Sequence, residues 1–208
     1  MSAHNGVHYP PWRVTRLKKL ESLFGAEFFA GKKILEIGAG LGIIGAHIRD
    51  NWGGDVYFTE GRSELVEKIN SSKAFLVDHD DFWSLPYKFD FIIHWGTLYH
   101  LDEWKADLEI TVSHLTPDGI LAYEGEILDS AEDEEVKVNE PNGDDQALWG
   151  IGTRPSALAV ENELKRLGLS FERYDDEDLN TEHQNYTWKL TDSKVWKNGQ
   201  RRFWIARK

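Results

Sequence analysis

Lys33-Ile-Leu-Glu-Ile-Gly-Ala-Gly-Leu-Gly-Ile-Ile-Gly45 is the stretch from which the fold of this chain is read. Ile34, Leu35 and Ile37 make a short apolar run ending in glycines, as in a parallel strand covered on both faces. Gly38, Gly40 and Gly42 then predict a turn, and a helix follows through about Arg49. Glycine admits positive φ and leaves no Cβ between backbone and ligand. The helix presents unpaired N–H groups at its start. Strand, turn and helix in this order predict a place for a nucleotide-like ligand.

The dinucleotide fingerprint is G-x-G-x-x-G/A, and here its sixth position is Ile43, too bulky for the close helix–strand packing it serves. No Gly-Lys-Ser/Thr is present, which excludes a Walker-type phosphate loop. The run E-x-G-x-G-x-G, with Glu36 closing the strand, resembles the first motif of class I S-adenosylmethionine-dependent methyltransferases. That resemblance implies a cofactor site at Glu36, Gly38, Ala39, Gly40 and Gly42.

Later segments fall in the order the resemblance requires. Asp55–Glu60 reads as a second strand, and Glu60 at its carboxyl end lies where doubly wound sheets bind ligands. A carboxylate there accepts from both hydroxyls of a ribose. The family's second motif assigns that role to Glu60, with Gly61 beside it. Ser63–Asn70 predicts a short helix and Ala74–Val77 a third strand, ending in Asp78-His79-Asp80-Asp81. The resemblance implies an adenine-amino acceptor here: Asp78, with Asp80 as competitor, and His79 stacking on or bordering the base. Phe89–Trp95 reads as a fourth strand, similar to the family's fourth motif, which implies that a backbone carbonyl at His94 or Trp95 accepts from the methionyl amine. Trp104, Leu108, Val112 and Leu115 repeat at helical spacing, Thr116-Pro-Asp-Gly119 signals a turn, and Ile120–Ile127 is a fifth strand.

The expected fold is therefore α/β: a Rossmann-like, seven-stranded, mostly parallel sheet with an antiparallel last strand and helices on both faces. With 208 residues the chain suits one domain and is short for two. It divides into an N-terminal lid and helix (1–29), a cofactor-binding core (30–127), and a substrate-side insertion with the C-terminal strands (128–208). Leu17, Leu20 and Phe24 give the N-terminal helix one apolar stripe, and the resemblance implies a flap here, with Tyr9 and Trp12 toward the acceptor.

Net charge is −12, which repels a polyphosphate and makes nucleic acid a poor partner. The chain has no cysteine, which removes disulfides, thiolate metal sites and cysteine nucleophiles, and with them the covalent route to pyrimidine C5 methylation. No apolar run approaches ~18 residues, so a cytoplasmic protein is the default expectation. No metal is expected, because no triad of acids stands at suitable places.

Asp129–Ile151 reads as a long acidic loop, then Gly152-Thr-Arg-Pro-Ser156 opens a helix with Pro155 in its first turn. Ser170–Tyr174 is a sixth strand, and Phe203–Ala206 the last, antiparallel one after an Asn198-Gly199 turn. Aromatic platforms among amide, carboxylate and guanidinium groups suit a neutral polyhydroxyl acceptor. The 144–156 run and C-terminal segment resemble a branch of small-molecule methyltransferases found among sugar and surface-glycan genes. Gln146, Arg154, His183 and Trp188 are the expected acceptor residues; Arg154 alternatively pairs with the acidic insertion.

The resemblance implies S-adenosylmethionine as cofactor, S-adenosylhomocysteine as product, and methyl transfer to a small molecule, foremost an oxygen of a sugar or glycan precursor. Such a transfer needs positioning of the acceptor and often removal of its proton. His100 is the first candidate base, Glu124 the second and Asp102 behind them; an amine acceptor needs none. Two other readings stay open: a methyltransferase acting on protein or RNA, and a cofactor-binding module without catalysis.

Overall fold

The computed structural model describes residues 11–139, 150–174 and 200–208, without the side chains of residues 11–14 and 200. The chain opens with helix α1 (Pro11–Phe24) and a short 3-10 turn (Ala26–Phe29). Alternation of strands and helices follows: β1 (Lys33–Ile37), α2 (Ile43–Trp52), β2 (Asp55–Glu60), α3 (Ser63–Val66), β3 (Ala74–Leu76) and β4 (Phe89–Trp95). A 3-10 turn (Leu98–His100), α4 (Trp104–Ser113) and β5 (Leu115–Ile127) complete the predicted core. Then come β6 (Glu135–Asn139), β7 (Ile151–Pro155), α5 (Ala157–Arg166), β8 (Ser170–Tyr174) and β9 (Gln200–Arg207).

Seven strands form one sheet in the order β3-β2-β1-β4-β5-β9-β8. All pairings among β1 to β5 are parallel, whereas β9 is antiparallel to both neighbours. Only β9 therefore runs against the rest, as expected for the last strand. Because the first five strands are parallel, their carboxyl ends share one edge, and the segments predicted to hold a ligand gather there.

The strands are covered on both faces, which is why they read as apolar runs without polar alternation. One face packs Leu35, Ile37, Ile92 and Leu121 beneath α4 and α5 through Trp104, Leu108, Val112, Val160 and Leu164. The opposite face packs Ile34, Phe91 and Ile93 beneath α1 and α2 through Leu17, Leu20, Ile44, Ile48 and Trp52.

Four expectations change. The 129–151 segment is not a loop throughout: β6 pairs antiparallel with β7 in a second, two-stranded sheet. Glu135-Val-Lys-Val-Asn139 alternates polar and apolar residues, a strand signal that the acidic composition masked. Pro155 ends β7 instead of opening the helix, and Ser156 is the N-cap of α5, its Oγ accepting from the Ala159 N–H at 3.1 Å. Thr116–Gly119 belongs to β5 as an irregularity: Phe89 pairs with Leu115 but Phe91 with Ile120, so extra residues bow out of the ladder. Helix α3 ends at Val66, short of the predicted Asn70. The Asn198-Gly199 turn lies outside the described residues. Among the described residues no helix is long and apolar enough to cross a membrane.

Candidate active site

The glycine turn is built as its residues require. Gly38, Gly40 and Gly42 have φ of 59°, 59° and 66°, in the left-handed region where a side chain is strained. The Ala39 N–H donates to the Thr59 carbonyl at 2.9 Å and Gly42 N–H to the Ala39 carbonyl at 2.8 Å, which fastens the turn to β2. Glu60 ends β2 beside it. Its Oε2 accepts from the Gly40 N–H at 2.7 Å and its Oε1 from the Arg62 N–H at 3.2 Å, across Gly61. A carboxylate thus stands against the glycine turn at the carboxyl edge of the sheet.

Glu36 has a different task. It is buried, and its Oε2 accepts from the Gly45 N–H at 2.8 Å, tying β1 to the first turn of α2. Gly45 lies so close to the sheet that a Cβ there would fall 2.4 Å from Phe58 and 2.6 Å from Glu36 Oε2. The close helix–strand approach that Ile43 forbids at its own position is made two residues later.

The structure separates the two adenine candidates. Asp80 Oδ1 accepts from the Asp102 and Glu103 N–H groups at 2.7 and 3.1 Å, holding the entry to α4. Burial raises its pKa, and those two N–H bonds work against the rise. Asp78 is half-buried at the edge and accepts from the Asp80 N–H at 3.0 Å.

His79 and His94 carry their side chains inward, where Asp107 of α4 accepts from both. The distances are 2.7 Å from His79 Nδ1 and 2.6 Å from His94 Nε2. Trp83 Nε1 donates to the same carboxylate at 2.8 Å, and His79 Nε2 lies 3.1 Å from Thr59 Oγ1. Burial would raise the Asp107 pKa, but His79 and His94 more than offset it and hold the carboxyl far below its usual range. The His79 ring is thus engaged in the core and is not a platform for the base. The His94 backbone still closes the ladder between Ile37 and Tyr123 at the carboxyl end of β4. Trp95 is buried on the opposite face, 5.5 Å from Phe203 and 5.8 Å from the Arg16 guanidinium.

Beyond β4 and β5 lies a buried cluster of charges. Glu124 is fully buried; its Oε2 accepts from Arg16 Nη2 at 2.5 Å and its Oε1 from Arg201 Nη1 at 2.7 Å. Arg201 Nη2 also donates to the Tyr99 hydroxyl at 2.7 Å. Burial lowers the Arg201 pKa, but Glu124, Tyr99 and Glu126 reverse this and leave it raised. Burial, with Arg201 adding to it, leaves Arg16 lowered despite Glu124. Both oxygens of Glu124 are engaged by guanidinium groups, which stabilise its ionised form and make it a weaker proton acceptor. Arg154 donates to the Tyr99 carbonyl and sits 3.4 Å from Glu126 Oε2 at the end of β5. It binds the β6–β7 hairpin to the core. His100 ends the 3-10 turn after β4, half-buried, its ring 4.1 Å from that of Tyr99. Asp102 pairs with Lys137 of β6. Tyr9, Gln146, His183 and Trp188, with the side chain of Trp12, lie outside the described residues.

Asp107, Arg16 and Tyr99 were not singled out from the sequence, and Arg201 only as part of the C-terminal segment, although a signal existed. Asp107 and Thr111 sit at i+3 and i+7 from Trp104, inside the apolar stripe of α4. Glu124 and Arg201 share their strand faces with Ala122 and Phe203. Polar residues at core positions must find partners.

Comparison with known proteins bears on the family and the fold. A methyltransferase-domain family matches residues 11–174. The chain belongs to that family. Among solved structures, an S-adenosylmethionine-dependent methyltransferase from Mesorhizobium loti superposes with a TM-score of 0.63 at 14% identity, covering 88% of this chain and 98% of that one. Coclaurine N-methyltransferase, bound to N-methylheliamine and S-adenosylhomocysteine, gives 0.65 at 14% identity, over 100% of this chain and 76% of that one. The [4+2]-cyclase SpnF gives 0.61 at 16% identity, over 91% and 80%. Identities this low carry the fold alone. No curated protein sequence matches the chain. Among the described residues of this methyltransferase domain, no group of three His, Asp or Glu is placed to hold a metal ion.

Proposed function

We propose that this domain transfers a methyl group from S-adenosylmethionine to a small-molecule acceptor, and most specifically to an oxygen of a sugar or glycan precursor. The observation that carries the reading is the Glu60 carboxylate held against Gly40 at the carboxyl edge of the sheet, with Asp78 half-buried at the same edge. The donor set fits the cofactor. Glu60 suits a ribose diol, the glycine turn permits close approach of the backbone, and Asp78 suits an exocyclic amine. The end of β4 at His94 and Trp95 supplies the carbonyl for the methionyl amine. When bound, the cofactor supplies an electrophilic methyl group on sulfur.

The chain's own residues then have to orient the acceptor and take its proton. His100 is the base we assign, with Glu124 second because both its oxygens are already engaged. Tyr99, Arg201 and Glu126 surround this end with hydrogen-bonding groups, which suits a polar acceptor. The small-molecule reading is further supported by the N-methylheliamine bound to coclaurine N-methyltransferase, which shares the fold.

Calorimetry with S-adenosylmethionine and S-adenosylhomocysteine tests the cofactor assignment. Glu60→Ala should weaken binding by about 10–100-fold, the worth of hydrogen bonds to a charged group. A wild type that binds neither compound, or a Glu60→Ala variant that binds as well, overturns it. Methyl transfer to a panel of sugars and their amine analogues then tests the acceptor. Tight cofactor binding with no transfer to any acceptor would favour the binding-module reading.

A further inference from the structure

We propose that Asp107 is a positioning residue: through His79 and His94 it sets the adenine-side loop and the end of β4 in one fixed relation. The inference rests on the cofactor assignment above and extends it to a residue that touches no ligand.

Three observations carry it. First, Asp107 is 1% exposed and its carboxylate accepts from three side chains, at 2.7 Å (His79), 2.8 Å (Trp83) and 2.6 Å (His94). An ionised carboxylate accepts only, so the protons lie on His79 Nδ1 and His94 Nε2. His79 Nε2 lies 3.1 Å from Thr59 Oγ1, which ties the same ring to the end of β2.

Second, three residues of the network, though not Trp83, are chain neighbours of assigned cofactor partners. Thr59 precedes Glu60, His79 follows Asp78, and His94 precedes Trp95. On the strands, successive side chains point to opposite faces. The network therefore grips, from the α4 face, the backbone that presents those partners at the edge.

Third, a core position gains little stability from such a group. Replacing buried ionic residues by well-packed apolar ones is often neutral or stabilising, whereas a satisfied buried network fixes one geometry. The same loop is anchored a second time, by Asp80 at the entry to α4. Loss of the Asp107 link therefore frees the angle of the loop without detaching it.

The test is Asp107→Asn, which keeps volume but replaces one accepting oxygen by an NH₂ group facing a ring N–H. S-adenosylhomocysteine affinity should fall about tenfold or more, while kcat at saturating cofactor stays within about threefold of wild type. A double-mutant cycle adds a readout that mere stability does not move. Asp78→Ala should cost clearly less affinity in the Asp107→Asn background than alone, because the loop is already misplaced. Tyr123→Phe, a change in the same core beside His94, serves as control and should leave affinity as it is. Lower melting temperature with unchanged affinity, or strict additivity in the cycle, overturns the proposal. If wild type fails to bind S-adenosylhomocysteine, the cofactor assignment falls instead.

Discussion

Gly45 shows how one missing side chain sets the distance between a helix and a sheet. Its ideal Cβ would sit 2.4 Å from Phe58, 2.6 Å from Glu36 and 2.8 Å from Val56, none of which is at the free end of an exposed side chain. Gly45→Ala would gain helix propensity, yet overpacking here should cost about 1–3 kcal/mol net. Urea unfolding checks this, and a stabilised variant would contradict it. At this scale the sequence was legible where chemistry needs glycine or a strand-end acid. The positive φ of Gly38, Gly40 and Gly42 and the strand-end place of Glu60 were read from their positions, and the acid after β3 was left at Asp78 or Asp80. Asp107 was not legible, because its partners His79, Trp83 and His94 come from two other segments and only folding joins them. Glu124 was read as the second candidate base, but its partners Arg16 and Arg201 lie near opposite ends of the chain. That distance hid its engagement.

Among the elements, the first four strands were read to within a residue, because strands buried on both faces concentrate apolar residues in short bounded runs. The turn signal at Thr116–Gly119 was read correctly as a break in regularity but not as a bulge, which depends on the register opposite Phe89 and Phe91. The start of α5 was misread because proline favours a first helical turn. The cap was left unused: Ser156 Oγ is buried and accepts from Ala159 N–H. Ser156→Ala should therefore destabilise the protein by about 1 kcal/mol, whereas Ser156→Asp should recover most of the loss if the larger side chain is accommodated. Thermal unfolding of both variants decides the point. Equal stability of wild type and Ser156→Ala would mean that the hairpin contacts hold the helix without its cap.

For the whole molecule, the two covered faces supply the bulk of stability, and buried charges make it depend on pH. Asp107 has a folded pKa depressed below the usual carboxylate range, because His79 and His94 outweigh its burial. A depressed carboxyl contributes stability that is fully present above its unfolded pKa and is lost as pH falls below it. The gap in unfolding free energy between wild type and Asp107→Asn should be constant from about pH 6 to 5 and shrink toward pH 3. A gap that widens on acidification would show that the carboxyl is not held ionised. Glu135, whose pKa is lowered by Lys105 and Trp104 in the face of burial, adds in the same direction but weakly, being exposed.

The place of β9 bears on the order in which the protein can be made. It lies between β5 and β8, yet it follows both in sequence, and Arg201 on it meets Glu124. While the ribosome is still short of residue 200, β8 has no strand to pair with in this sheet. Glu124 has Arg16 but not Arg201. The nascent chain can assemble five strands but must wait for β9 to close the sheet, and the charge cluster beside the site is completed at that same moment.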